Sequence, residues 1–186
     1  IIKLSRFPLA APSANISNHV SPTSSLDVYD EFRNKIKFIL DGKQSKVGIE
    51  STVINLVGIP KVLRPGKISK KSIQKILKNI KNNKSKEILS PGQLKKHYSP
   101  GIPIYLNKKK NKKNGALLIF GKTKLKGKNI FYLSKKNSLE EAAKNLYKKL
   151  RQIRKLGFKS ISITPIPNKD IGIAINDRLK RASSWI

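Results

Sequence analysis

Apolar residues in this chain recur with different periods in its two halves. Between 46 and 66, β-branched residues alternate with polar ones and are punctuated by Gly and Pro, which predicts strands at 51–57 and 61–63 joined by a turn at 58–60. Before this hairpin, Leu26, Tyr29 and Phe32 follow Ser21-Pro-Thr-Ser-Ser25 at helical spacing, predicting a helix that ends near Asn34. Residues 36–40 read as a short strand stopped by Asp41-Gly42. After the hairpin, Ser69 caps a predicted helix over 70–80, with Ile73, Ile76, Leu77 and Ile80 on one stripe. From 81 to 101 the periodicity disappears and Ser90-Pro-Gly92 and Ser99-Pro-Gly101 replace it, the composition of a linker. Strands then follow at 103–106, 115–120, 130–133 and 160–164. They alternate with a Ser138-capped helix, buried through Leu139, Ala142, Ala143, Leu146, Leu150 and Ile153, and with a closing helix at 171–181. That alternation predicts a small, mainly parallel, three-layer α/β unit.

Composition narrows the function classes. The 186 residues, 38% of them hydrophobic, can bury the core of one ordinary domain or two small ones. No apolar run reaches the length of a membrane span, and no signal peptide opens the chain, so no membrane partner is expected. Without cysteine there is no disulfide framework, thiol nucleophile or thiolate metal site, in keeping with a cytoplasmic setting. A formal charge of +31 has two readings. It suits a polyanion such as RNA, and it equally suits a solvated surface in a protein whose Lys, Ile and Asn are all abundant. With no Met and a start at Ile1-Ile2-Lys3-Leu4, the chain is expected to be the later part of a longer one.

Candidate chemistry lies in the first half. Arg64 sits between a strand end and the Pro65-Gly66 turn, where a guanidinium can grip a phosphate or carboxylate; the bland alternative is a surface arginine before an ordinary turn. Small residues dominate 7–17, and Ser13, Asn15, Ser17 and Ser21 supply short polar groups, useful for a ligand or simply as loop caps. The linker carries His97 and Tyr98. With few apolar residues to hold it, it reads as a segment able to close on a ligand, and loss of the Tyr98 ring should cost little stability. His97 has no second ligand nearby in sequence. The second unit lacks a G-x-G-x-x-G or Walker spacing.

Seven motifs occur in a fixed order: 8–17 (PLAAPSANIS), 21–23 (SPT), 40–42 (LDG), 47–53 (VGIESTV), 63–66 (LRPG), 90–92 (SPG) and 97–100 (HYSP). Together they resemble the YrdC/Sua5 family of threonylcarbamoyl-AMP synthases, and 172–182 (GIAINDRLKRA) is similar to the end of the long Sua5 form. The resemblance implies the C-terminal half of a YrdC-like twisted-sheet α/β domain at 1–80, a linker at 81–102, and a small Rossmann-like Sua5 domain at 103–186. It implies a nucleotidyltransferase that joins L-threonine, bicarbonate and ATP into threonylcarbamoyl-adenylate and pyrophosphate, for t6A modification at tRNA position 37. Matched to the family pattern, Ser13, Ser21, Arg64 and Tyr98 fall where ATP is contacted, and Ala11 (through its backbone) and Ser51 where threonine is contacted. Mg²⁺ is expected on the phosphates, with no metal-ligating side chain and no catalytic nucleophile assigned. Proteins that transfer the product to tRNA are the expected downstream partners. The alternatives are an inactive fragment of such an enzyme and a basic RNA-binding module.

Overall fold

The computed structural model describes residues 1–83, 87–94 and 96–184, so 84–86 and 95, within the 81–102 linker, and 185–186 lie outside the described residues. In chain order the elements are α1 (Ile2–Ser5), α2 (Ser25–Phe32), a 3₁₀ turn (Arg33–Lys35), β1 (Val53–Asn55), β2 (Lys61–Arg64), α3 (Lys70–Gln74), β3 (Lys81–Asn82), β4 (Ile104–Tyr105), β5 (Ala116–Phe120), β6 (Ile130–Ser134), α4 (Leu139–Lys155), β7 (Ile161–Ile163) and α5 (Ile171–Ser183).

The second half forms as its pattern predicts. A parallel sheet in the order β4-β7-β5-β6 carries Ile104, Ala116, Leu118, Phe131, Leu133, Ile161 and Ile163 on the face that meets α4 and α5. Helix α4 starts where Ser138 Oγ accepts the Glu141 N–H at 3.1 Å, and it buries Leu139, Ala142, Ala143, Leu146, Tyr147, Leu150 and Ile153. Each such Leu or Ile contributes about 1.5–3 kcal/mol on burial. Among the described residues, no helix lies between β4 and β5 or between β5 and β6, the connections of the opposite face. Leu117 and Ile119 of that face are nevertheless only 1% and 3% exposed, because the helix-free connections β4–β5 and β5–β6 must cross it to join parallel strands. The third layer is therefore made of loops.

In the first half the hairpin forms, with Val53 opposite Arg64 and Asn55 opposite Lys61. Two neighbours differ from expectation. Residues 36–40 are not a strand. No second strand pairs with them, Phe38 is 86% exposed, and Asp41 Oδ1 accepts from Ser25 Oγ and Lys43 N to make a local turn instead. The helix expected over 70–80 stops at Gln74, and Ile76 is 84% exposed. Beyond it the chain has to swing into β3, whose Lys81 N–H donates to Pro60 O at 2.8 Å and which pairs in parallel with β2 inside the expected linker. Pairing with β2 outweighs the modest helix propensity of a β-branched stretch.

Candidate functional site

The hairpin positions Arg64. The Pro65-Gly66 turn folds back onto the start of β1 so closely that a Cβ at Gly66 would lie 2.2 Å from Thr52 N and 2.5 Å from Ser51 C, so only glycine fits. Arg64 Nε donates to Ser51 O at 3.1 Å, one terminal nitrogen to Pro91 O at 3.2 Å, and the other points at Ser51 Oγ at 3.5 Å. All three acceptors are neutral. Among the described residues no carboxylate pairs with Arg64, so this guanidinium is held in place without being neutralised.

Behind Arg64 lies a buried polar cluster around Glu50. Glu50 Oε1 accepts from Ser21 Oγ at 2.6 Å, while Oε2 accepts from Tyr147 Oη at 2.8 Å and Arg178 Nε at 3.1 Å. Arg178, 0% exposed, also donates to Pro65 O at 2.7 Å and Asp177 Oδ2 at 3.0 Å. Burial pushes the Glu50 carboxyl up, but the Arg178 charge and the Ser21 and Tyr147 hydroxyls outweigh it and hold the group below its ordinary range. The neighbouring Arg181 donates to Gln93 O at 2.7 Å and Leu94 O at 2.9 Å, which ties the 87–94 segment to α5.

Tyr98 is where the structure corrects the sequence. Its ring is 1% exposed, stacks on Tyr147 at 5.8 Å, and has the Arg178 guanidinium 5.5 Å from its centroid. Packing therefore holds this residue, contrary to the expectation of a loosely held lid; the apolar partners come from α4 and α5, far away in sequence. Its φ of +62 is unusual for a bulky residue, and the Tyr98 N–H donates to His97 Nδ1 at 2.9 Å. That bond needs a neutral imidazole. Burial and the Arg181, Arg178 and Arg64 charges push the His97 pKa down despite the opposing charge of Glu50. Gly92, at φ +83, completes the packing: a Cβ there would stand 2.3 Å from Tyr98 Oη and 3.1 Å from Arg64 Cδ. The strand-like exchange of Val20 N to Ser99 O (3.1 Å) and Ser99 N to Asn18 O (2.9 Å) fastens the same segment to the first half.

The structure thus brings Arg64, Ser51 and Tyr98 together and connects Ser21 to them through Glu50. Ala11 and Ser13 lie on the exposed stretch before Asn15, and no hydrogen bond joins either to this group. A cleft of about 330 Å³ between 16–33 and the end of α4 is lined by His19, Glu31, Arg151 and Arg154, away from Arg64. Among the described residues no group of three or more His, Asp or Glu could hold a metal ion. Sequence reasoning gave no role to Glu50, Tyr147 or Arg178. The available signal was an arginine on the apolar stripe of α5, between Ile175 and Leu179.

Two family models match the chain. One, described as "Threonylcarbamoyl-AMP synthase, C-terminal domain", covers residues 68–184; the other, the Sua5/YciO/YrdC model described as "Telomere recombination", covers 1–66. The threonylcarbamoyl-AMP synthase of Pyrococcus abyssi is 34% identical over 210 residues, covering 100% of this chain and 60% of its own length. That of Schizosaccharomyces pombe is 32% identical, covering 100% of this chain and 54% of its own. The crystal structure of P. abyssi Sua5 complexed with L-threonine superposes with a TM-score of 0.85 at 31% identity, over 99% of this chain and 60% of that one. The chain therefore spans 54–60% of the length of these relatives.

Proposed function

Because the chain belongs to the Sua5 family of threonylcarbamoyl-AMP synthases, we propose that it supplies part of an active site that joins L-threonine, bicarbonate and ATP into threonylcarbamoyl-adenylate and pyrophosphate, toward t6A in tRNA. The observation that carries this reading is Arg64, a guanidinium fixed by carbonyls at the end of β2 with no acid among the described residues to neutralise it. Such a cation is preorganised for the phosphates of ATP and costs nothing to reorient as charge shifts during displacement of pyrophosphate. Ser51, whose carbonyl and hydroxyl flank Arg64, is suited to orient the threonine next to that phosphate, and the solved relative holds L-threonine. Mg²⁺ would reach the site with the phosphates, since the described residues offer no cluster of three or more metal-ligating side chains. The absence of a nucleophile and acid-base dyad among Arg64, Ser51 and Tyr98 suits catalysis by positioning and charge neutralisation.

Calorimetric titration with ATP tests the assignment. Arg64→Ala is expected to lose about 1.5–3 kcal/mol of binding, the worth of a charge-assisted contact. Lys67→Ala, which removes an exposed charge three residues on, is expected to lose much less. Equal losses would remove Arg64 from the site.

A further inference from the structure

The loop-covered face of the four-stranded sheet is crossed by connections rich in lysine. Between 102 and 139 the sequence has eleven lysines and not one Asp or Glu. Topology gathers these lysines. The connections 106–115 and 121–129 and the turn at 135–137 all leave the carboxyl ends of parallel strands, and the first two then cross the face opposite α4 and α5. All eleven are exposed, and among the described residues none is in a salt bridge. Of the acids of this half, Glu140, Glu141 and Asp177 lie on α4 and α5, and Asp170, the N-cap of α5, lines a cleft with Pro65, Gly66 and Asp177.

Aromatic residues mark both edges of the same face. Tyr105 on β4 and Tyr132 on β6 alternate with Ile104, Phe131 and Leu133, which face the helices, so the two rings face the loops. Lys112 Nζ lies 3.7 Å from the Tyr105 centroid and Lys135 Nζ 4.7 Å from that of Tyr132. Each ring holds a lysine in place by a cation–π contact while leaving the charge unpaired.

We propose that this face binds the phosphate backbone of RNA without reading its sequence. Uncompensated lysines on one face raise the local potential and release counterions from phosphates on contact. As compact point charges they suit backbone contact better than the bidentate base recognition typical of arginine. A lipid surface fits less well, because the face offers no amphipathic helix and Leu125 alone among its loop residues is a large exposed apolar group. The choice of RNA over DNA rests on the tRNA-modification reading above; the polyphosphate chemistry does not.

The test is fluorescence anisotropy of a labelled RNA hairpin titrated with the chain from 50 to 300 mM KCl. Replacing Lys110, Lys122, Lys124 and Lys128 with Gln is expected to reduce the salt slope of log Kobs by about 3, at roughly 0.7–0.9 per lost phosphate contact. A control with Lys71, Lys75, Lys78 and Lys81 changed to Gln carries the same net charge and is expected to keep its slope within about 1 of the parent. Circular dichroism checks that both quadruple variants stay folded. Equal slope losses in the two would show that binding follows net charge and overturn the proposal. So would parent-like RNA binding by the first variant, or binding of phosphatidylserine vesicles but not RNA. Because the readout contains no ATP or threonine, its failure leaves the Arg64 titration untouched, and failure of that titration leaves this one standing.

Discussion

Arg178 and Glu50 are 128 residues apart in sequence, yet each is the other's main counter-charge. Their protonation gives the protein a pH signature. Glu50 is held below its ordinary value of 4.5, so its contribution to stability is full above that value and is lost as pH falls through the lowered one. His97 is likewise depressed from 6.5, first by burial, and its contribution is lost in the same direction, starting at a higher pH. Urea midpoints measured from pH 8 to pH 3 are expected to decline below about 6.5 and to steepen below about 4.5; Glu50→Gln starts less stable and has a shallower lower phase, to which Glu31, which burial pushes up but Arg151 holds below 4.5, still contributes. Tyr98→Ala removes a buried ring against Tyr147 and is expected to cost about 3–5 kcal/mol in chemical denaturation. A cost under about 1 kcal/mol would restore the loosely held lid.

At the scale of elements, the entry to the hairpin is docked on α4. Gly48, at φ +84, passes so close that a Cβ would lie 2.5 Å from Lys144 Cα and 2.6 Å from Ala143 O. Both conflicts are with helix backbone, which cannot step aside as a flexible side chain can. Gly48→Ala is therefore expected to destabilise the protein by several kcal/mol through combined steric and left-handed backbone strain. Gly42→Ala, with nothing within 4 Å of its Cβ position, is expected to change the melting temperature little. Similar shifts for the two substitutions would mean that the contact between the hairpin entry and α4 is not formed in solution. Elements whose pattern names them in isolation were legible from sequence. Helix α4 and strands β5 to β7 appear within a residue or two of expectation, because their apolar periodicity, N-cap and flanking glycines agree. The 36–40 strand and the second half of the 70–80 helix were misread, because apolar residues there find no partner of the expected kind.

At the scale of the molecule, the sheet, α4 and α5 share one continuous core to which Val20, Ile49 and Tyr98 are added from earlier in the chain. Most of that core lies after residue 103. A protein of residues 103–186 is accordingly expected to melt as one cooperative transition by circular dichroism. One of residues 1–80, with its short hairpin and exposed Phe7, Leu9, Phe38 and Leu40, is not. The reverse result would move the proposed domain boundary.

By itself the sequence determined what is local: the parallel α/β unit, the hairpin, and the place of Arg64 between the end of its second strand and the Pro65-Gly66 turn. These follow from side-chain period, turn chemistry and a register that only nearby residues set. Tertiary structure alone decided that Glu50, Tyr147 and Arg178 meet, that Tyr98 is packed, and that Lys112 and Lys135 lie over Tyr105 and Tyr132 at the two edges of one sheet. Periodicity tells which side of an element is apolar, but not which distant element will cover it. A buried charge is legible only once its partner, here more than a hundred residues away, is in place.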